Sequence, residues 1–224
     1  MKETSDIFFE HQASLSNSKW NINLFYENSN EKSKEIKLDK DIKIIPVAES
    51  GTFNSLIKIN IEDKETNVEK SFILVGIDGA FILYPKSNKE NEGQSIALKN
   101  DNLILSIGFT LISIDITNLS VNWKIRPDIA EIFEFYDFEN DLLLRGEIGI
   151  HRIDLNGNIK WTFSARDIWV NMDGKEEVKI EDNGIRLMDF ESNEYFINFD
   201  GQLLEDKPIK IEETQTRKWW QRKK

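Results

Sequence analysis

Apolar and polar positions alternate with a period of two along much of this chain, which predicts β-strands rather than helices. Residues 19–26 place their apolar side chains on one face of such a strand and their polar side chains on the other. Residues 27–40 are mostly charged or amide-bearing, and their start predicts a surface loop. Residues 41–48 return to a strand pattern, in which Pro46 favours an edge position or a strand end.

From residue 55 onward short apolar runs recur in sets of up to four, with no long helical period between them, which predicts an antiparallel meander. The predicted strands are 56–61, 71–77 and 80–84; 96–98, 103–107, 111–116 and 121–125; 132–136, 142–144, 150–155 and 159–163; and 178–180, 185–190, 195–199 and 202–204. Residues 167–172 predict an inserted strand or an extended hairpin. Five Asn-Gly or Asp-Gly pairs offer the positive-φ geometry of tight hairpins, and they end at Gly79, Gly157, Gly174, Gly184 and Gly201.

One pattern occurs twice. Residues 101–125, DNLILSIGFTLISIDITNLSVNWKI, and residues 141–163, DLLLRGEIGIHRIDLNGNIKWTF, share two apolar runs, an Ile-Asp pair, a polar turn and a last strand with a central Trp. Trp123 and Trp161 lie 38 residues apart, and Asp115 and Asp154 lie 39 apart. A period near 40 built from short strands is typical of stacked four-stranded units, as in β-propellers.

The doubled pattern resembles the repeat of quinoprotein-like (PQQ-type) β-propellers, in which LYALDxxTGKxxWxF recurs once per blade. The matching stretches are LISIDITNLSVNWKI (111–125) and HRIDLNGNIKWTF (151–163), with a degraded copy in EYFINFDGQLLE (194–205). The resemblance implies an all-β, propeller-like fold of four or five blades, complete or incomplete, in which the repeated Trp and Asp are structural. The cofactor and calcium ligands of quinoprotein enzymes have no identifiable counterparts in this sequence, so no cofactor and no metal are expected.

Composition and length further limit the possible chemistry, location and domain organisation. The chain has 224 residues and no cysteine, which excludes disulfides and thiolate chemistry. The first twenty residues lack a secretory pattern and no span-length apolar run occurs, so no membrane span and a cytoplasmic location are expected. We expect a single β-repeat domain over residues 1–205, with N-terminal strands and a loop in 1–54 and the repeats in 55–205, followed by a tail over 206–224.

The net charge of −11 is unevenly distributed. The last eight residues hold five Lys or Arg, so the first 216 carry 24 basic and 40 acidic residues, a net of −16. Such a body repels nucleic acid and attracts a basic protein partner over long range. The alternative that the acidic surface only maintains solubility remains open.

Two groups of residues are candidates for chemistry. Arg145, Glu147 and His151 would share one face of an unbroken strand and could form an acid–base pair, although Gly146 and Gly149 favour a break that separates them. An acidic cluster could face a basic partner or hold a metal, but its spacing matches no calcium loop, and a strand with solvated charges is the favoured interpretation. The cluster consists of Glu131, Glu134, Asp137 and Glu139.

Two further segments are candidates for binding. Arg166, Asp167 and Trp169 combine a cation, a carboxylate and an aromatic ring, as binding hot spots do; the alternative is a connecting loop with Trp169 in the core. In the tail, basic residues including Arg217 flank Trp219 and Trp220, which could stack on nucleic-acid bases, touch an anionic membrane surface or dock on the protein itself.

No nucleophile elbow, phosphate-binding loop, dinucleotide fingerprint or His-Glu-x-x-His motif is present. The leading hypothesis is therefore a non-catalytic β-repeat protein that binds another macromolecule, above all a protein, with an immunity or antitoxin type as one version. The alternatives are a carboxylate-based hydrolase or lyase on a propeller scaffold, and nucleic-acid binding through the tail. The sequence leaves the oligomeric state open.

Overall fold

The structure of the chain is a computed structural model that describes residues 10–28, 42–48, 55–87 and 92–209. Within these ranges the regular structure is entirely β, in four sheets. The predicted all-β class and the four-stranded antiparallel meander are confirmed. The chain divides into two compact units, Met1–Trp169 with three of the sheets and Val170–Lys224 with the fourth.

The first sheet has five strands in the order β1-β2-β4-β5-β3. They are β1 (Glu10–Ser16), β2 (Trp20–Asn28), β3 (Lys43–Pro46), β4 (Ser55–Asp63) and β5 (Val68–Val75). Three of its four pairings are antiparallel, but β3 pairs with β5 in parallel, contrary to the uniformly antiparallel prediction. Pro46 ends the edge strand β3, where its missing N–H removes no ladder bond from a central strand.

The second and third sheets are the four-stranded meanders that the doubled pattern predicts, each with its strands in sequence order. The second contains β6 (Ile96–Lys99), β7 (Asn102–Ile107), β8 (Thr110–Asp115) and β9 (Ser120–Ile125). The third contains β10 (Ile132–Phe138), β11 (Asp141–Gly146), β12 (Gly149–Asp154) and β13 (Ile159–Ser164).

The three sheets of the first unit pack through two clusters of buried side chains. One face of the second sheet, with Leu103 and Leu105, packs with Leu24, Ile59 and Phe72 of the first sheet. The opposite face packs on the third sheet in a second cluster that includes Ile104, Phe135 and Leu144. Burial on both faces explains why β7 and β8 are near-continuous apolar runs instead of alternating strands.

The fourth sheet belongs to the second unit and is also a four-stranded antiparallel meander. Its strands are β14 (Val178–Glu181), β15 (Gly184–Met188), β16 (Glu194–Ile197) and β17 (Leu203–Lys207). The inner strands are buried, whereas every residue of β17 is exposed.

Three local predictions are wrong. Residues 80–84 form no strand: Pro85 makes an isolated bridge to Ile96, and the Tyr84 backbone N–H bonds to the Ser95 hydroxyl instead of to a strand partner. Residues 167–172 are irregular, and the Trp169 N–H bonds to the Glu147 carbonyl in the turn between β11 and β12 instead of to a hairpin partner. Gly184 has no positive φ, although the other four predicted turn glycines do, because it belongs to strand β15. The single domain over 1–205 stays a prediction.

In the described ranges the chain forms no helix of the length and hydrophobicity that a membrane crossing requires.

Candidate functional site

The strand connections at one end of the first unit's sheets are joined to one another by backbone hydrogen bonds. We call residues 76–83, 108–109, 126–131, 147–148 and 164–169 the loop end. The Phe109 N–H donates to the Asp78 carbonyl at 3.2 Å, and the N–H of Ile132 donates to the Gly108 carbonyl at 2.8 Å. The Glu147 N–H donates to the Glu131 carbonyl at 2.9 Å, and the Trp169 N–H donates to the Glu147 carbonyl at 2.8 Å. Each connection is thus tied to the next, which makes the loop end a rigid surface.

Side chains reinforce the first part of this surface. The Glu131 carboxylate accepts a 2.8 Å hydrogen bond from the Ala80 N–H. The Arg126 guanidinium lies 4.9 Å from the Phe109 ring centroid and 3.6 Å from the Asp78 carboxylate. Gly108 has a φ of +58°, and a Cβ there would lie 1.5 Å from the Asp78 carbonyl oxygen, so only glycine fits.

Asp128 fixes the connection between β9 and β10. Its buried carboxylate accepts hydrogen bonds from the backbone N–H groups of Ile148 at 3.0 Å and Gly149 at 2.8 Å. Its other oxygen accepts a 3.2 Å bond from the Ala130 N–H. A carboxylate that satisfies three backbone donors holds a loop in a single conformation. Ile129 lies between Asp128 and Ala130, which these hydrogen bonds hold in place.

Two aliphatic side chains project from this fixed frame into solvent. Ile129 is 87% exposed and Ile82 is 76% exposed, more than any other large apolar side chain in the described part of the first unit. Isolated exposed aliphatic residues are common, and loops that a rigid scaffold positions often carry binding residues.

The loop end is also acidic. Its five segments contain five carboxylates and two arginines, a net charge of −3. The acids are Asp78, Asp128, Glu131, Glu147 and Asp167, and the arginines are Arg126 and Arg166. The Arg126–Asp78 ion pair neutralises one positive and one negative charge of this set. The loop end therefore combines two exposed isoleucines with an excess of acidic residues, of which Asp128 is buried.

The predicted binding segment 166–169 lies at the loop end, but Trp169 is not exposed. Its ring has 0% exposure and its indole N–H donates to the Ile148 carbonyl at 3.1 Å, so it corresponds to the alternative of a loop anchored in the core. Arg145 adds a 2.7 Å hydrogen bond to the Trp169 carbonyl. Arg166 is exposed and Asp167 partly so. A binding role for these two residues stays a prediction.

Arg145, Glu147 and His151 are not brought together. Strand β11 ends at Gly146 and β12 begins at Gly149, so Glu147 lies in the intervening turn. The His151 ring instead lies beside Thr162, with Nδ1 and Oγ1 2.9 Å apart, and beside Asp128, with Nε2 3.7 Å from the carboxylate. His151 is 2% exposed; burial lowers its pKa, and the nearby Asp128 carboxylate offsets this only in part.

Sequence reasoning missed Asp128, because it precedes His151 by more than twenty residues and approaches it only through strand pairing. Pro127-Asp128 after a strand is a turn signal, and that signal could have identified it as a loop-fixing residue.

The four acids of residues 131–139 diverge instead of clustering. Glu131 accepts from the Ala80 N–H, Asp137 accepts from Lys99, and Glu139 pairs with Arg152. Among the described residues no group of three or more acidic or histidine side chains converges as a metal site requires.

Glu134 is not a solvated charge, contrary to the favoured interpretation. Its carboxylate accepts from the Tyr84 hydroxyl at 2.6 Å, the Tyr136 hydroxyl at 2.5 Å and the Arg145 Nε at 2.9 Å. Burial raises the pKa of Glu134, but the Arg145 charge and these hydrogen bonds together lower it below the ordinary value. Burial and the Glu134 carboxylate raise the pKa of both tyrosine hydroxyls. The group is a partly buried structural ion pair with two tyrosine donors.

The predicted tail site of Arg217, Trp219 and Trp220 lies outside the described residues.

Comparison with known proteins gives weak similarities of fold. BamB from Moraxella catarrhalis aligns with 88% of this chain and 63% of its own, at 11% identity and a TM-score of 0.41. The AfRom2 CNH domain aligns with 91% of this chain and 55% of its own, at 10% identity and a TM-score of 0.42. The computationally designed Ika4 protein aligns with 57% of this chain and 79% of its own, at 11% identity and a TM-score of 0.39. This chain thus spans less than two thirds of the BamB and AfRom2 chains. No protein-family model and no curated protein matches the sequence.

Proposed function

We propose that this protein binds a basic protein partner through the loop end, without catalysing a reaction. The observation that carries the proposal is the rigid presentation of Ile129 and Ile82 on neighbouring, hydrogen-bonded connections with an acidic surround. Interfaces combine exposed apolar side chains with polar and charged ones, and the loop end supplies both kinds.

The energetics support an anchor role for the two isoleucines. Full burial of an isoleucine side chain stabilises a complex by roughly 1.5–3 kcal/mol. Because Asp128 and the backbone bonds already fix the Ile129 loop, little conformational entropy is lost on binding. The net charge of −3 at the loop end, together with −16 over residues 1–216, would accelerate association with a basic surface.

An immunity or antitoxin role is one particular version of this proposal, in which the loop end masks a basic toxin. It is supported by the acidic charge and by the absence of a recognisable catalytic motif in the sequence. The cytoplasmic location belongs to the same version and stays a prediction.

The test begins with capture from the native host at low salt, comparing the wild-type protein with Ile129→Asp and with Ile82→Asp. Ile159→Asp is the matched control, because Ile159 is a 45% exposed isoleucine at the opposite end of the third sheet. A protein captured by wild type and control but not by the two variants is identified and purified, and its binding is measured by calorimetry.

The proposal expects a partner of net positive charge whose affinity falls at least tenfold with Ile129→Asp, is unchanged with Ile159→Asp, and weakens as salt increases. Equal affinity for the wild-type protein and Ile129→Asp would overturn the assignment of the loop end. Failure to find any partner at low salt would overturn the binding role itself.

A further inference from the structure

A small cavity lies at the other end of the first unit, where β1 turns into β2 beside β6 and β10. It has a volume of about 240 Å³, and its lining includes the apolar side chains of Leu15 and Leu98 and the polar side chains of Lys86, Gln94, Lys99 and Asp137. We call it the lysine cavity. Its volume is below the ~300–1,000 Å³ of most ligand pockets, so a ligand would be small.

The charges in the lysine cavity do not balance. Lys99 Nζ lies 2.5 Å from one Asp137 oxygen, which also accepts a 3.1 Å hydrogen bond from the buried Gln94 amide. Lys86 Nζ lies 3.7 Å from the other oxygen, beyond hydrogen-bond distance. Two ammonium groups therefore share one carboxylate, and Lys86 retains donors that this carboxylate does not engage.

A third lysine adds to the positive charge at the rim. Lys64 Nζ donates to the Ser16 hydroxyl at 2.7 Å and to the Asn17 carbonyl at 2.6 Å, and both of these residues line the cavity. A local excess of positive charge contrasts with a body of net charge −16. An anion that reaches this cavity finds the lysine ammonium groups and the side chains of Leu15 and Leu98 in one lining.

We propose that the lysine cavity binds a small organic carboxylate, whose charged end contacts Lys86 and Lys99 and whose apolar body covers Leu15 and Leu98. Asp137 competes with the ligand for the two ammonium groups and holds them in place when the ligand is absent. The site is independent of the loop end, so its test and that of the protein-binding proposal do not depend on each other.

The test uses benzoate as the probe, with benzamide as a neutral molecule of the same shape and inorganic phosphate as an anion without an apolar body. Binding is followed by NMR through the backbone amides of Gln94 and Leu98 and the methyl groups of Leu15 and Leu98. We expect saturable shifts with benzoate and at least tenfold weaker binding of both benzamide and phosphate.

Three variants sharpen the test. Lys86→Gln and Lys99→Gln should each weaken benzoate binding several-fold, because each removes an ammonium donor. Asp137→Asn should strengthen it several-fold, because it removes the competing carboxylate. Lys207→Gln is the control, since this exposed lysine of β17 pairs with Glu205 far along the chain, and it should change nothing.

Two results would overturn the proposal. Equal binding of benzoate and benzamide would show that the charge plays no part. An unchanged or lower benzoate affinity in Asp137→Asn would show that the two ammonium groups are not the anion's partners. The expected stronger binding of benzoate by Asp137→Asn cannot result from unfolding, because an unfolded protein would not bind benzoate more tightly.

Discussion

The indole N–H of Trp123 donates a 2.8 Å hydrogen bond to the backbone carbonyl of Leu155, which lies in the turn between β12 and β13. The last strand of one sheet is thereby tied to a turn of the next. Trp20 makes a comparable contact, since its indole N–H donates at 2.7 Å to the Asp101 carboxylate in the turn between β6 and β7. Trp123 of the doubled pattern therefore connects two sheets, which agrees with the structural role that the resemblance implies for it.

Gly157→Ala should destabilise the first unit more than a turn glycine normally does. Gly157 has a φ of +83°, and a Cβ there would lie 2.8 Å from the Trp123 ring. The strained backbone costs about 1–2 kcal/mol, and displacement of the Trp123 ring adds to this cost. We therefore expect the free energy of unfolding to fall by about 2–3 kcal/mol. Gly174→Ala is the matched control, because Gly174 has a φ of +72° with nothing within 4 Å and should lose only the backbone part. Urea denaturation measures both.

A double-mutant cycle separates the two contributions to the Gly157→Ala loss. In a Trp123→Leu background the Cβ no longer meets the ring, so Gly157→Ala should lose only about 1–2 kcal/mol. If the loss were the same in both backgrounds, the ring contact would not contribute.

Glu134→Gln should remove a pH-dependent part of the stability. The pKa of Glu134 is lowered in the folded protein, so this group's contribution is complete above the ordinary glutamate pKa of 4.5 and is lost as the pH falls below it. At neutral pH the variant loses a charge-assisted hydrogen bond with Arg145, worth about 1.5–3 kcal/mol. Urea denaturation should show that the free energies of unfolding of the variant and the wild type converge below pH 4.5.

The exposed Glu205 on β17 provides the control for this titration, since Glu205→Gln alters a carboxylate that pairs only at the surface. Lys207 lowers the pKa of Glu205 too, but solvent screens this exposed pair, so the stability of Glu205→Gln should follow the wild-type pH profile closely. If the difference in free energy of unfolding between Glu134→Gln and wild type stayed constant down to pH 3, the Glu134–Arg145 ion pair would not be the source of the acid sensitivity.

The sequence predicts the strands better than it predicts their partners. Alternation and turn glycines locate β2, β7, β8 and β12 to within a few residues, because these signals are local. The environment of Glu134 depends on Tyr84, 50 residues away in sequence, and on the pairing of β10 with β11. The period-two pattern assigns a residue to a face of a strand, but it does not say what covers that face.

The candidate site was only partly predictable for the same reason. The segment 166–169 lies at the loop end as expected of a connection, but the burial of Trp169 is set by Ile148 and Phe163 on other elements. Ile129 and Ile82 have no distinguishing sequence signal, since an isolated isoleucine in a loop resembles any core residue. The structure shows that Asp128 and Glu131 fix the two loops while Ile129 and Ile82 remain exposed.

His151 should make the protein less stable as the pH falls from 7 to 5. Burial lowers its pKa in the folded state, so below the ordinary histidine pKa of 6.5 the unfolded chain takes up the proton more readily than the folded chain. His151→Gln should remove this part of the pH dependence. His11→Gln should retain it, because His11, the only other histidine, lies exposed on β1. Urea denaturation at several pH values distinguishes the two variants, and a slope that survives in His151→Gln would contradict the assignment.

Asp189→Ala should disrupt the second unit far more than Tyr195→Phe. The Asp189 side chain is fully buried, and its carboxylate accepts from the Asn193 backbone N–H at 2.9 Å, the Asn193 amide at 2.9 Å and the Tyr195 hydroxyl at 2.8 Å. Its removal leaves several buried donors without acceptors, each worth about 1–3 kcal/mol, whereas Tyr195→Phe loses one hydrogen bond of about 1 kcal/mol.

Amide hydrogen exchange in β15 and β16 should therefore accelerate strongly in Asp189→Ala and slightly in Tyr195→Phe. Exchange in β7 and β8 reports on the first unit and serves as the internal reference. A larger acceleration in Tyr195→Phe than in Asp189→Ala would show that the carboxylate does not organise this turn.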